Sequence, residues 1–257
     1  MLARILACLD VKDGAVVKGR RFQELRVVGD PVALARRYEL EGADEIVLLD
    51  VSATLEGRAT LLEIVLRTAS HLFIPLTVGG GVRSVDDVAR LLRSGADKVA
   101  INTAAVERPE LLGEAARRFG SQCVVASIDA VRQGDRWIVY THGGSRPTSL
   151  DALAWAERCA SEGAGEILLT SIDRDGLRTG YDLQLTAQVV QLVSVPVIAS
   201  GGAGSAEHLA EVLLRGGASG ALVAGVLHDS EVTVGELKRF VKASGVAVRM
   251  PSTAGVG

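Results

Sequence analysis

The chain has 257 residues, of which 48% are hydrophobic and 23% charged, with a formal net charge of −3; this is ordinary usage for a globular protein. Lys and Arg are scattered rather than striped, which argues against a nucleic-acid partner, and no apolar run approaches the roughly 18 residues of a membrane span. The opening MLARILACLD reaches an acid at Asp10, too early for a signal peptide. Cys8, Cys123 and Cys159 show no CxxC spacing, so core thiols in a cytoplasmic protein are expected.

Taken in chain order, apolar β-branched runs at 5–9, 46–49, 74–78, 98–101, 124–128, 167–169, 195–199 and 221–223 predict strands. Amphipathic stretches at 31–41, 60–70, 85–94, 107–119, 149–162, 182–193, 205–215 and 234–243 predict helices between and after them. Asp30 before Pro31, Ser84 before Asp86 and Asp87, and Ser205 are helix-start signals. Nearly continuous apolar strands joined by crossover helices imply a parallel sheet covered by helices. Eight such units fit a closed (β/α)8 barrel, the TIM-barrel α/β class.

An internal repeat supports that count. Residues 76–84 (LTVGGGVRS) and 197–204 (VIASGGAG) each run from strand through glycine turn to helix, with Pro75 and Pro196 121 residues apart. Ala7-Cys8-Leu9-Asp10 likewise matches Ser127-Ile128-Asp129. The expected organisation is one barrel domain over 1–257, with half-barrels of about 1–120 and 121–246 and a tail at 247–257. Two connections exceed structural need. Residues 11–29, with Lys12, Lys18, Arg20, Arg21 and Arg26, read as a mobile basic lid, and 131–148 as a small hairpin over the barrel mouth, in which Trp137 could cover a ligand ring.

In such a barrel the site lies at the C-terminal strand ends. The residues there are Asp10, Asp50, Gly80 and Gly81, Asn102 and Thr103, Asp129, Thr170, Gly201 and Gly202, and Ala224 and Gly225. Asp10 and Asp129 hold matching places in the two halves and so face each other across the mouth. Two carboxylates around one ligand can divide general acid from general base work; the plainer alternative is that each caps a loop. The glycine turns open helices whose unpaired N–H groups and dipole favour an anion, and their duplication suggests a substrate with a phosphate at each end. Asn102 and Thr103 beside the first turn, and the stretch Asp173-Arg174-Asp175-Gly176 near the second, could complete the two cups. Lys18 could close over a phosphate.

At the opposite end, Arg4, Glu45, Lys98 and Glu166 begin or precede their strands with alternating sign. Inward charges are costly unless mutually paired, so the ring is either a salt-bridge plug or a guarded opening for something small and neutral. The four histidines are dispersed and give no metal spacing; no metal and no cofactor are expected. There is neither a GxGxxG nor a Walker lysine.

ACLDVKDG (7–14), TVGGGVRS (77–84), DKVAINTAAV (97–106), GAGEILLTSIDRDG (163–176), VIASGGAG (197–204) and LHD (227–229) together resemble the cyclase-subunit family of imidazole glycerol phosphate synthases, of histidine biosynthesis. The resemblance spans the whole chain. It implies a cyclase and lyase that takes a ring-open phosphoribulosyl-formimino aminoimidazole carboxamide ribotide, a bisphosphate, together with ammonia. The products are imidazole glycerol phosphate and aminoimidazole carboxamide ribotide. It further implies Asp10 and Asp129 as the acid/base pair and Lys18 as a lid lysine. Gly81, Asn102 and Thr103 would hold one phosphate; Asp175, Gly176, Gly202 and the 224–225 backbone would hold the other. Arg4, Glu45, Lys98 and Glu166 become the gate of an ammonia channel, with a glutaminase subunit docked on the N-terminal face as a heterodimer. A serine expected at the last phosphate turn is Gly225 here, which leaves only backbone donors. The alternatives are the sister isomerase of the same pathway, which shares paired Asp and twin phosphate turns but needs no ammonia, and a noncatalytic phosphosugar-binding subunit.

Overall fold

The computed structural model describes residues 2–20, 23–51 and 61–250, and at 20 and 23–25 the backbone alone. Its strands are β1 (Arg4–Lys12), β2 (Ala15–Arg20), β3 (Gln23–Gly29), β4 (Glu45–Asp50), β5 (Leu76–Gly79), β6 (Lys98–Ile101), β7 (Val124–Gln133), β8 (Arg136–Thr141), β9 (Arg146–Asp151), β10 (Glu166–Ser171), β11 (Val197–Ser200) and β12 (Gly220–Val223). Eight of them, β1, β4, β5, β6, β7, β10, β11 and β12, pair in parallel around a circle. The circle closes where β12 pairs β1 and β7 pairs β10. This is the expected (β/α)8 barrel.

Alternation along each strand divides the apolar residues into two clusters. Ile5, Leu9, Ile46, Leu48, Ile167 and Val197 pack outward with the helices in the larger cluster. Leu6, Cys8, Val47, Ala100, Val125, Leu168, Ile198 and Leu222 form a separate interior cluster. Each such side chain, withdrawn from water, contributes about 1.5–3 kcal/mol. The interior cluster is one apolar layer with polar residues above and below it, which is what makes the two barrel ends chemically distinct.

Helix starts follow the sequence signals. Asp30 accepts from Ala33 N at 2.9 Å and opens Pro31–Leu40, while Ser84 accepts from Asp87 N at 3.2 Å and opens Val85–Arg93. Thr233 and Glu236 form a reciprocal capping box for Val234–Ala243. Lys238 on that last helix is fully buried and donates to Asp44 Oδ1 at 2.7 Å; Asp44 Oδ2 in turn accepts from Ile5 N at 2.8 Å. The C-terminal helix is thus pinned to the first strand.

Several expectations shift. β5 and β11 begin after Pro75 and Pro196 rather than at 74 and 195, since proline has no N–H for the ladder; both prolines instead accept through their carbonyls, from Ile46 N and Ile167 N. The stretch expected as one helix over 107–119 is two helices, Thr103–Glu107 and Glu110–Phe119, broken at Arg108-Pro109. The helix expected from 149 begins at Ala152 because residues 146–151 are drawn into β9.

The basic stretch 11–29, expected as a mobile lid, is built as strands. β1 runs on to Lys12 and pairs antiparallel with β2, which pairs β3, and burial of Val16 and Val17 holds the hairpin down. Arg21 lies outside the described residues, as do the Arg20 side chain, residue 60 of the second helix and the tail from Pro251. The hairpin expected at 131–148 is present as β7–β8–β9. Trp137 on it does not face a ligand: it is 1% exposed, donates from Nε1 to Asp182 Oδ2 at 2.9 Å, and carries Arg132 over its ring. Among the described residues no helix is long and apolar enough to cross a membrane.

Candidate active site

The C-terminal mouth is built by strand parity. β1 points Leu6, Cys8 and Asp10 inward in succession, and β7 does the same with Val125 and Asp129. Asp129 is held by two neighbours. Asn102, just beyond β6, donates from Nδ2 to Asp129 Oδ2 at 2.8 Å. Thr170, its register partner on β10, also hydrogen-bonds to it. Asp10 accepts a long contact from Cys8 Sγ at 3.5 Å.

Burial pushes both carboxyls up to about 7. At Asp10 desolvation leads, reinforced by the charge of Asp175 and then by that of Asp129. At Asp129 desolvation again leads and Asp175 adds to it, against the hydrogen bonds of Asn102 and Thr170. A carboxyl poised near neutrality can both take and give a proton under working conditions. The same burial, with Asp10 next to it, drives the Cys8 thiol well above its usual range, so Cys8 stays protonated.

The two glycine turns rise on either side of this pair. Gly80 and Gly201 have φ of 105° and 87°, and a side chain on either would collide with backbone at the end of the preceding barrel strand, at Asp50 and Ser171 respectively. Only glycine combines that φ with so close an approach. Asp50 itself falls by alternation on the face of Ile46 and Leu48, the helix side of β4, rather than in the interior with Glu45 and Val47. The turns differ at the helices they open. Ser84 caps its own helix, whereas Ser205 makes no side-chain cap to Ala206–Leu214. Next to each turn, the short helices Thr103–Glu107 and Gly225–His228 also start without a side-chain cap, behind Asn102 and Ala224. Thr103 Oγ1 accepts from His142 N at 3.0 Å, and Asn102 Oδ1 is buried without a partner among the described residues. Lys18 on β2 pairs with Asp229, just past the last of these helices.

At the other end the four charges form a closed circuit. Arg4 bonds Glu45 at 2.8 Å and Glu166 at 2.7 Å; Lys98 bonds Glu45 at 2.9 Å and Glu166 at 3.1 Å. Thr77 adds a donor to Glu45 Oε1 at 2.6 Å. Burial works against the charge of Arg4, but Glu166 and then Glu45 outweigh it and hold the guanidinium above its ordinary value.

A family model described as "Histidine biosynthesis protein" matches residues 4–233. The chain is 65% identical over 246 residues to the imidazole glycerol phosphate synthase subunit HisF of Myxococcus xanthus (strain DK1622), covering 96% of this chain and 97% of that one. This chain belongs to the HisF family. The family member from Metallosphaera sedula is 59% identical over 246 residues, covering 96% of this chain and 98% of its own.

Within this HisF-family barrel, three features escape a reading of the sequence. Asp175 was expected only at a phosphate, yet its charge reaches Asp10, Asp129 and Cys8. Thr77 completes the charged circuit although no charge marks it. Arg178 and Asp229, both outside the expected set, meet beside Gly225. The positive φ of Arg178, 59°, is a conformational signal that only coordinates reveal.

Proposed function

We propose that the chain is the ammonia-dependent cyclase and lyase of histidine biosynthesis. The ring-open phosphoribulosyl-formimino aminoimidazole carboxamide ribotide plus ammonia becomes imidazole glycerol phosphate, aminoimidazole carboxamide ribotide and water. The observation that carries this is the pair Asp10 and Asp129, both lifted to about 7 and set between two glycine turns.

The substrate spans the mouth with one phosphate on Gly80, Gly81 and the Asn102–Thr103 backbone. Its other phosphate sits on Gly201, Gly202, Gly176 and the Ala224–Gly225 backbone, with Lys18 and Asp175 near that end and Asp50 supporting the first turn. Fixing both ends leaves the middle of the chain over the two aspartates. Ammonia attacks the ribulosyl carbonyl carbon. Asp10 delivers the proton that lets the carbonyl oxygen leave as water. Asp129 shuttles protons as the new nitrogen closes on the formimino carbon and the bond to the departing aminoimidazole breaks.

Ammonia must arrive unprotonated. The apolar layer of Leu6, Val47, Ala100, Val125, Leu168, Ile198 and Leu222 disfavours ammonium and admits the neutral molecule. Entry lies through the circuit of Arg4, Glu45, Lys98 and Glu166, whose ion pairs must part to pass it, and the supplier is a glutaminase docked on that face. A cytoplasmic setting fits the free thiols of Cys8, Cys123 and Cys159.

The deciding assay is turnover of the ring-open bisphosphate with ammonium salt. Imidazole glycerol phosphate should appear in proportion to free ammonia; an isomerase or a noncatalytic subunit yields none. Asp10→Asn and Asp129→Asn should each lower kcat by about 10²-fold or more. The partner is tested by co-purification with the glutaminase and by comparing glutamine-driven with ammonium-driven rates.

A further inference from the structure

Three cations converge on one carboxylate beside the second glycine turn. Lys18 from β2 and Arg26 from β3 both reach Asp229, Arg26 at 2.7 Å, and Arg178, from the loop after β10, pairs with the same group. Arg178 also binds Glu231 at 2.7 Å and donates from Nη2 to the carbonyl of Gly225 at 3.2 Å. Three positive charges against two negative leave the cluster with a surplus of one.

The position of Arg178 is unusual in two ways. Its backbone lies hard against Gly204 of the glycine turn, and its guanidinium lies 3.6 Å from where a side chain on Gly225 would begin. It therefore bridges the two segments that flank the second cup and lies against the open side of Gly225. It does so at a φ of 59°, a left-handed conformation that a non-glycine residue adopts when its surroundings impose it.

We propose that Arg178 is a phosphate-positioning residue of the second cup, and that Asp229 is its resident counter-ion, which the incoming substrate phosphate displaces. This deepens the cyclase reading and rests on it for the identity of the bisphosphate. Phosphate binding at this end is then an anion exchange: the dianion takes the guanidinium from Asp229, which keeps Lys18 and Arg26 as its counter-ions. A planar guanidinium suits this role because it can hold two phosphate oxygens at once.

The two partners should respond with opposite sign, which a merely structural tie would not do. With the full chain, ring-open bisphosphate and ammonium salt, Arg178→Met should raise KM about tenfold and weaken competitive inhibition by inorganic phosphate to a similar degree. Arg178→Lys should recover part of both. Asp229→Asn, which removes the competing anion, should instead lower KM and tighten phosphate inhibition about threefold. Calorimetric titration of each variant with inorganic phosphate reads the same order without turnover, so it stands even if the cyclase assay fails with the unaltered chain. The proposal is overturned if Arg178→Met leaves phosphate binding unchanged, or if Asp229→Asn weakens it as Arg178→Met does.

Discussion

Replacing Asp10 by Asn should slow the protein about 10²-fold or more yet make it more stable, and the gain in stability should grow with pH. The carboxyl of Asp10 is lifted from 3.8 to about 7 by burial, Asp175 and Asp129. A native pKa above the unfolded one means that the folded chain binds the extra proton between those values, so this group's contribution to stability declines as pH rises through that window. A shift of about three units corresponds to roughly 4 kcal/mol once the native carboxyl is fully ionised. Asn stays neutral and avoids that cost. Working through the two titrations, Asp10→Asn should exceed the unaltered chain by about 1.5 kcal/mol at pH 5 and by about 4 kcal/mol at pH 8. Urea unfolding of both proteins at the two pH values measures the difference, and comparison at equal pH cancels the titrating groups that do not interact with Asp10. A gap that is independent of pH, or a variant less stable at pH 8, would refute the claim that Asp10 is held in a costly ionised state.

Asp175→Asn removes a charge that raises both aspartates, so the acidic limb of the kcat profile should move to lower pH, beyond any change in KM. Lys98→Met leaves Glu45 and Glu166 buried with only Arg4 between them and should cost about 3 kcal/mol in thermal or urea unfolding; a loss below about 0.5 kcal/mol would mean that water already fills the ring. Tyr38 shares a 2.7 Å hydrogen bond with His228 Nδ1, and Tyr38→Phe should cost about 1 kcal/mol by removing the partner of that half-buried nitrogen. His228 is depressed to about 4, chiefly by burial and then by Lys18. The unfolded chain therefore binds the extra proton, and stability from this residue should fall as pH drops from about 6.5 toward 4; His228→Gln should abolish that dependence.

The strand and helix order, the closure into eight units and the doubling of the glycine turns all lie in local pattern. Hydrophobic period and turn chemistry act over a few residues and need no distant partner. The same holds for Asp10 and Asp129, which sit where an apolar run ends in both halves. Arg4 shares parity with Asp10, and Lys98 with Asn102, so strand alternation alone puts each on the same side as its partner. Strand limits beside Pro75 and Pro196 were less legible, because a proline's missing donor outweighs the apolar character of its neighbours. The β2–β3 hairpin was hidden by its basic residues, whose charge masks the buried Val16 and Val17.

What the sequence determined by itself was therefore the barrel, its two chemically different ends and the two acids between the glycine turns. Tertiary structure alone decided the electrical state of the site. The lift of both aspartates comes from burial and from Asp175, 46 residues from Asp129 in the chain; the ring of charges is closed by pairings that join β1, β4, β6 and β10; and Lys18 is held by Asp229 rather than poised alone. Charge interactions depend on distance and on exclusion of water, and neither exists until the barrel closes.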